Sequence, residues 1–136
     1  MNTTIKVKSN ILKIDDVTPN GYYISKEVAS KLVETWNNRK IIEYGKLLNA
    51  DDVPGCPILD SSEITHKING LSIDDDFITA NMEIFDEKHD NVINDLKNNK
   101  LYAHTELRVL SNDIIDIFSI DLTTTPNNKD CIVKHV

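Results

Sequence analysis

Ile78, Ala80, Met82 and Ile84 alternate with Thr79, Asn81 and Glu83. In an extended chain successive side chains point to opposite faces, so this run fits a strand with one buried face and does not fit a helical period. Leu101, Ala103, Thr105, Leu107 and Val109 repeat the pattern opposite Tyr102, His104, Glu106 and Arg108. Two such runs in one short chain demand partner strands. Ile114 to Leu122 is a third, strongly apolar run, and Ile64 to Leu71 with Ile73 suggests further strands. Ile5, Val7, Ile11 and Ile14 alternate loosely and predict one or two short strands near the start.

The punctuation between these runs is clear. Thr18-Pro19-Asn20-Gly21 is a turn, because proline presets φ and Asn-Gly tolerates positive φ. Asp74-Asp75-Asp76 and Ser111-Asn112-Asp113 are polar turns, and Asp51 to Pro57 is a loop broken by two prolines and a glycine. Ser25 caps a helix whose apolar residues Val28, Leu32, Val33 and Trp36 fall at helical spacing, with Ile41, Ile42 and Tyr44 extending it towards Gly45. His89 to Lys97 predicts a short second helix with Val92, Ile93 and Leu96 on one face. The sum is an α+β fold: a mostly antiparallel β-barrel or sheet with two flanking helices. Residues 1–136 form a single domain in this reading, with a core over about 18–127 and a C-terminal tail over 128–136.

Composition narrows the class of partner. A chain of 136 residues with 40% apolar and 27% charged residues can bury a core without disulfides or metals. Its net charge of −7 makes a nucleic-acid backbone an unsuitable partner over the surface as a whole, and favours solubility or docking to a basic protein surface. No apolar run approaches the roughly 20 residues that span a bilayer. Met1 to Lys6 lacks the apolar core of a secretory signal, so a reducing cytosol is the expected setting. Cys56 and Cys131 then read as two free thiols.

Neither metal nor cofactor is expected. His66, His89, His104 and His135 show no paired ligand spacing, and Asp74 to Asp76 lacks the alternating ligands of a calcium loop. Only four scattered glycines are present, so there is no phosphate-cradling loop.

One set of segments over residues 18–127, taken in order, matches the motif order of a known enzyme family. Asn20-Gly21-Tyr22-Tyr23-Ile24-Ser25 stands before the first helix, where the family has Asn-Gly-Arg-x-Tyr-Pro. Gly45-Lys46-Leu47-Leu48-Asn49-Ala50 stands where the family has Gly-Glu-Leu-x-His-Pro, with Asn49 in the place of the catalytic histidine. Thr65-His66-Lys67-Ile68 matches a Ser-His-x-Ile segment, and Ile84-Phe85-Asp86 matches the start of Ile-Leu-Asp-Thr-Pro. Tyr102 to Leu107 falls on the nucleophile element Gly-Val-Ser-Ser-Arg-Gly, so that His104 occupies the first serine. Asp121 to Asn127 falls on the closing Asp-x-Val-x-x-Pro-Ser. Together these segments resemble the prohead (capsid-maturation) proteases of tailed bacteriophages, and the resemblance implies the small β-barrel with packed helices that these enzymes share with herpesvirus assemblins.

It also implies that the inherited chemistry is lost. A serine protease needs an oxygen nucleophile and a base within hydrogen-bond reach. The amide of Asn49 has no useful basicity, and an imidazole at His104 replaces the alkoxide. Glu106 and Leu107 replace an arginine–glycine pair that shapes the oxyanion site, and a carboxylate there opposes developing negative charge. The expectation is a non-catalytic protein of the phage virion, an auxiliary or cementing protein on the major capsid protein, present in the capsid and, during assembly, in the host cytoplasm. Other copies of itself are further partners; membrane and nucleic acid are not. Two alternatives stay open. One is an active maturation serine protease with displaced residues, in which His66 works with Ser61, Ser62 or Thr65. The other is a host-encoded soluble domain that shares only the strand pattern.

Overall fold

The structure, a computed structural model, describes residues 4–48, 61–85, 90–110 and 114–136. In chain order these form β1 (Thr4–Lys13), β2 (Asp16–Val17), β3 (Tyr23–Ile24), α1 (Lys26–Asn37), β4 (Glu43–Lys46), β5 (Ile64–Asp74), β6 (Phe77–Phe85), α2 (Asp90–Lys97), β7 (Tyr102–Val109), β8 (Ile115–Thr123) and β9 (Lys134–His135). The fold is α+β with antiparallel sheets and two helices, as the alternating runs and the two helical patterns imply.

One sheet has the strand order β4-β5-β6-β1-β9, and β7 with β8 makes a separate hairpin. The alternation in β6 is real: Ile78, Ala80, Met82 and Ile84 are all buried. Asp74 pairs with Phe77, so β5 and β6 are joined by Asp75 and Asp76, and Asp75 takes a left-handed φ of 52°. Aspartate tolerates that region better than most residues, which suits it to a tight turn. In β1 the register slips between Asn10 and Leu12, leaving Ile11 as an extra residue. The bulge lets two consecutive side chains, Ile11 and Leu12, both enter the core.

Helix α1 starts where Ser25 accepts a hydrogen bond from the Val28 N–H at 3.1 Å. It buries Ala29, Leu32 and Trp36, one face at i, i+3 and i+7. It does not continue through Ile41 and Ile42. The Asn37 amide is drawn out of the helix to Leu71 of β5, accepting from its N–H at 2.9 Å and donating to its carbonyl at 2.8 Å. Asn37 thereby acts as a strand partner beside the bulge at Asn69. The chain past it enters β4, with Ile41 and Ile42 exposed.

Two further expectations need correction. The strands do not close into a barrel. The sheet and the hairpin touch at their margins through single bridges, Leu47 with Leu122 and Tyr102 with Ile132, while their inner faces share one apolar cluster. Nor is 128–136 a loose tail. Cys131 and Val133 are buried, and β9 pairs Lys134 and His135 with Lys8 and Val7 of β1. The apolar run Cys131-Ile132-Val133 is too short a pattern to announce a strand, but Cys131 Sγ meets the Ile11 carbonyl of β1 at 3.7 Å and Val133 donates its N–H to the Leu101 carbonyl just before β7 at 2.9 Å.

The Asn37 clamp is testable. Asn37→Ala removes both hydrogen bonds and leaves the Leu71 main chain short of partners, so unfolding in urea is expected to show a loss of about 2 kcal/mol. A change within a few tenths would mean that the clamp contributes nothing.

Candidate functional site

The face of the hairpin carrying His104 and Asp121 is polar. His104 of β7 stands opposite Asp121 of β8, and Glu106 stands opposite Ser119. Both follow from the period-two alternation that turns Ala103, Leu122 and Ile120 into the core. Thr105, next to His104, is on the other face, as an adjacent strand residue must be. The His104 Nε2 meets a Glu106 carboxylate oxygen at 2.8 Å. Asp121 is buried and accepts the main-chain N–H of Lys46 at 3.1 Å, which ties β4 to β8. Burial pushes the Asp121 carboxyl up; the Lys46 N–H, the Ser119 hydroxyl and the charges of His104 and Lys46 pull the other way. The Ser119 hydroxyl lies near that carboxylate without reaching a partner in good hydrogen-bond geometry.

Two of the three residues singled out by the sequence resemblance, His104 and Asp121, are therefore brought together. The third, Asn49, lies outside the described residues, as do Cys56 and His89. Its neighbours in sequence lead towards the site: Leu48 donates its N–H to the Leu122 carbonyl at 2.7 Å, one residue from Asp121.

His66 sits elsewhere, between β5, β4 and β8, and is 0% exposed. Its Nε2 lies 2.9 Å from the carbonyl oxygen of Ile120, and its Nδ1 lies 2.8 Å from the Thr65 hydroxyl. A carbonyl can only accept, so Nε2 carries the proton and Nδ1 of the neutral ring accepts from Thr65. Of Ser61, Ser62 and Thr65, it is Thr65 that pairs with the imidazole. The ring crosses β4 at Gly45, its register partner. A side-chain carbon at that glycine would overlap both the His66 ring and the Ile120 carbonyl. Burial lowers the His66 pKa from 6.5 to about 4, and the Ile120 hydrogen bond offsets only part of the shift.

Several residues of this region carry no signal in the sequence. Arg39, just past α1, donates to both oxygens of Asp116 at 3.1 Å and to the Ile117 carbonyl at 2.7 Å. Arg108 reaches the same Asp116 carboxylate at 3.1 Å, and Arg39 also pairs with Glu43. Nothing in the local pattern links Arg39 to a residue so distant in sequence. Lys46 is buried beside Asp121, and only its place after Gly45 could have suggested it. Cys131 is a buried thiol pushed up to about 11, chiefly by burial and then by Asp130.

Among the described residues no group of three or more histidines, cysteines and carboxylates could hold a metal ion. No helix among them is long and apolar enough to cross a membrane. Comparison with known proteins finds no matching family model, curated protein or solved structure.

The His66 environment sets a pH dependence. Its folded pKa is below the unfolded one, so the folded state binds the proton less readily. The contribution is fully present above about 6.5 and is lost as pH falls towards about 4. Urea midpoints are expected to drop over that window by an amount on the order of 3 kcal/mol. In a His66→Gln variant the drop should be smaller by that amount; an unchanged slope would show that the imidazole does not titrate with folding.

Proposed function

We propose that the chain is a non-catalytic protein of a tailed-phage virion, derived from a prohead protease and acting as an auxiliary or cementing protein that binds the major capsid protein. The observation that carries this reading is the state of the nucleophile position. His104 stands where the family has its serine, and its imidazole is engaged by the Glu106 carboxylate while facing Asp121. Two carboxylates beside that position disfavour an oxyanion, and no hydroxyl replaces the serine at that position. The polar face is thus arranged to hold itself together. What an inactive protease can keep is affinity for the proteins it met inside the prohead. An acidic chain of net charge −7 suits a basic docking face.

Quantifying the proteins of purified mature virions tests this. The chain is expected at a copy number comparable with that of the major capsid protein. Absence from mature particles, with presence in precursor shells alone, would overturn it.

A second reading, an active protease with displaced residues, draws on the Thr65–His66 pair. A hydroxyl on one ring nitrogen and a carbonyl on the other is the arrangement of a nucleophile, a base and its orienting group. Against it, Thr65 is 4% exposed and His66 not at all, and a ring with a pKa of about 4 is a weak base. Incubation with the phage scaffold protein, followed by mass spectrometry, distinguishes the two. The expected outcome is intact scaffold protein; a specific cut lost in Thr65→Val would favour the enzyme.

A further inference from the structure

Among the described residues, strand β7 is paired along its length on one side only. It pairs with β8 along its whole length, and its other edge meets the 131–133 segment only at its start, where Val133 donates to the Leu101 carbonyl at 2.9 Å. Beyond Ala103 no strand among the described residues takes that edge. The main-chain N–H and C=O of one strand residue point to the same side, and alternate residues point to opposite sides. Since the Leu101 carbonyl points away from β8, so do the groups of Thr105 and Leu107. The register slip in the hairpin places the extra residue, Phe118, on β8, so the alternation along β7 is unbroken.

This edge lies in a groove of about 260 Å³ lined by residues that include Asp16, Val17, Asn127 and Asn128. Exposed edges of this kind are templates for another strand, and proteins normally cover or interrupt them. The recess selects the occupant. A single extended chain can enter it, whereas the β7 edge of a second copy is sunk in the same way and cannot meet it. Around the groove Asp16 stands against Lys13 and Glu106 is engaged by His104, so the negative balance that favours a basic partner is that of the whole chain, net −7. In its lining Val17 is more than half exposed, at 57%. Main-chain hydrogen bonding, excess negative charge and exposed apolar surface together describe one ligand.

We infer that the open edge of β7 binds an extended segment of a partner protein as an added strand, the segment carrying lysine or arginine in alternation with apolar residues. This rests on the proposed capsid-binding role and names the surface that performs it. Such a segment would gain main-chain hydrogen bonds from Thr105 and Leu107, while its alternate side chains face Asp16 and the exposed Val17.

The test uses the full chain and a seven-residue peptide alternating valine and lysine. By NMR the peptide is expected to protect the amides of Thr105 and Leu107 from exchange. Methylating its alternate amide nitrogens, or replacing lysine by glutamate, should weaken binding at least ten-fold. Unprotected Thr105 and Leu107 amides, or indifference to N-methylation, would overturn the inference. Protection that rises with chain concentration and no peptide would overturn it in favour of a second copy. A parallel arm adds the peptide to chain bound on shells of the same virus's major capsid protein. Release supports both claims. Shell binding that survives saturating peptide removes this edge while leaving the capsid role; peptide binding without shell binding removes the capsid role while leaving the edge.

Discussion

A buried imidazole is the central tie between the five-stranded sheet and the β7–β8 hairpin, beside the hydrogen bonds of Lys46 to Asp121 and of Leu48 to Leu122. The strands do not close into a barrel, and the margins of sheet and hairpin meet through isolated bridges. His66 supplies a cross-tie that those bridges alone do not. It belongs to β5, lies over Gly45 of β4 and donates to Ile120 of β8, so three strands are held by one ring. The tie requires a neutral ring with its proton on Nε2, a glycine where the ring crosses, and a hydroxyl to satisfy Nδ1. All three are present. Buried polar groups are tolerable only when satisfied, and this one is satisfied on both nitrogens.

The same logic governs the polar face of the hairpin. Asp116 is buried between two arginines, and Arg39 also reaches a main-chain carbonyl, so the charge is neutralised and hydrogen-bonded rather than stranded. The Arg39 guanidinium lies 4.0 Å from the centre of the Trp36 ring, which joins the end of α1 to β8 through one side chain. Asp121, His104 and Glu106 continue this row. A cleft built for hydrolysis leaves an oxygen nucleophile exposed to its substrate. Here the hydroxyl that touches the His66 imidazole is sealed within the core, and the His104 imidazole is tied to the Glu106 carboxylate.

Much of the architecture was legible because alternation is a local property. The runs at Ile78 to Ile84 and Leu101 to Val109 announce β6 and β7, and Ser25 with Leu32 and Trp36 announces α1. What escaped depends on contacts distant in sequence. The end of α1 is set by Leu71 through Asn37, so the apolar Ile41 and Ile42 misleadingly prolong the helical pattern. β9 exists because β1 offers it an edge, and Cys131 with Val133 gives too short a signal by itself. For the site, alternation could place His104 and Asp121 on strands but not opposite one another, since register is fixed by the β8 bulge. His66 was visible as a residue that might work with Thr65. Its burial beneath β8, which turns a candidate base into a structural tie, was not visible.

The most direct test of this account is the titration of the His66 imidazole followed by nitrogen NMR. A neutral ring protonated on Nε2, unchanged from pH 8 down to about pH 5 and titrating near 4, is the predicted result. A ring that titrates near its ordinary value of 6.5, or one carrying its proton on Nδ1, would contradict it. The first result would give the ring the ordinary basicity that the alternative protease reading needs, and the second would remove the hydrogen bond to Ile120 that makes the tie.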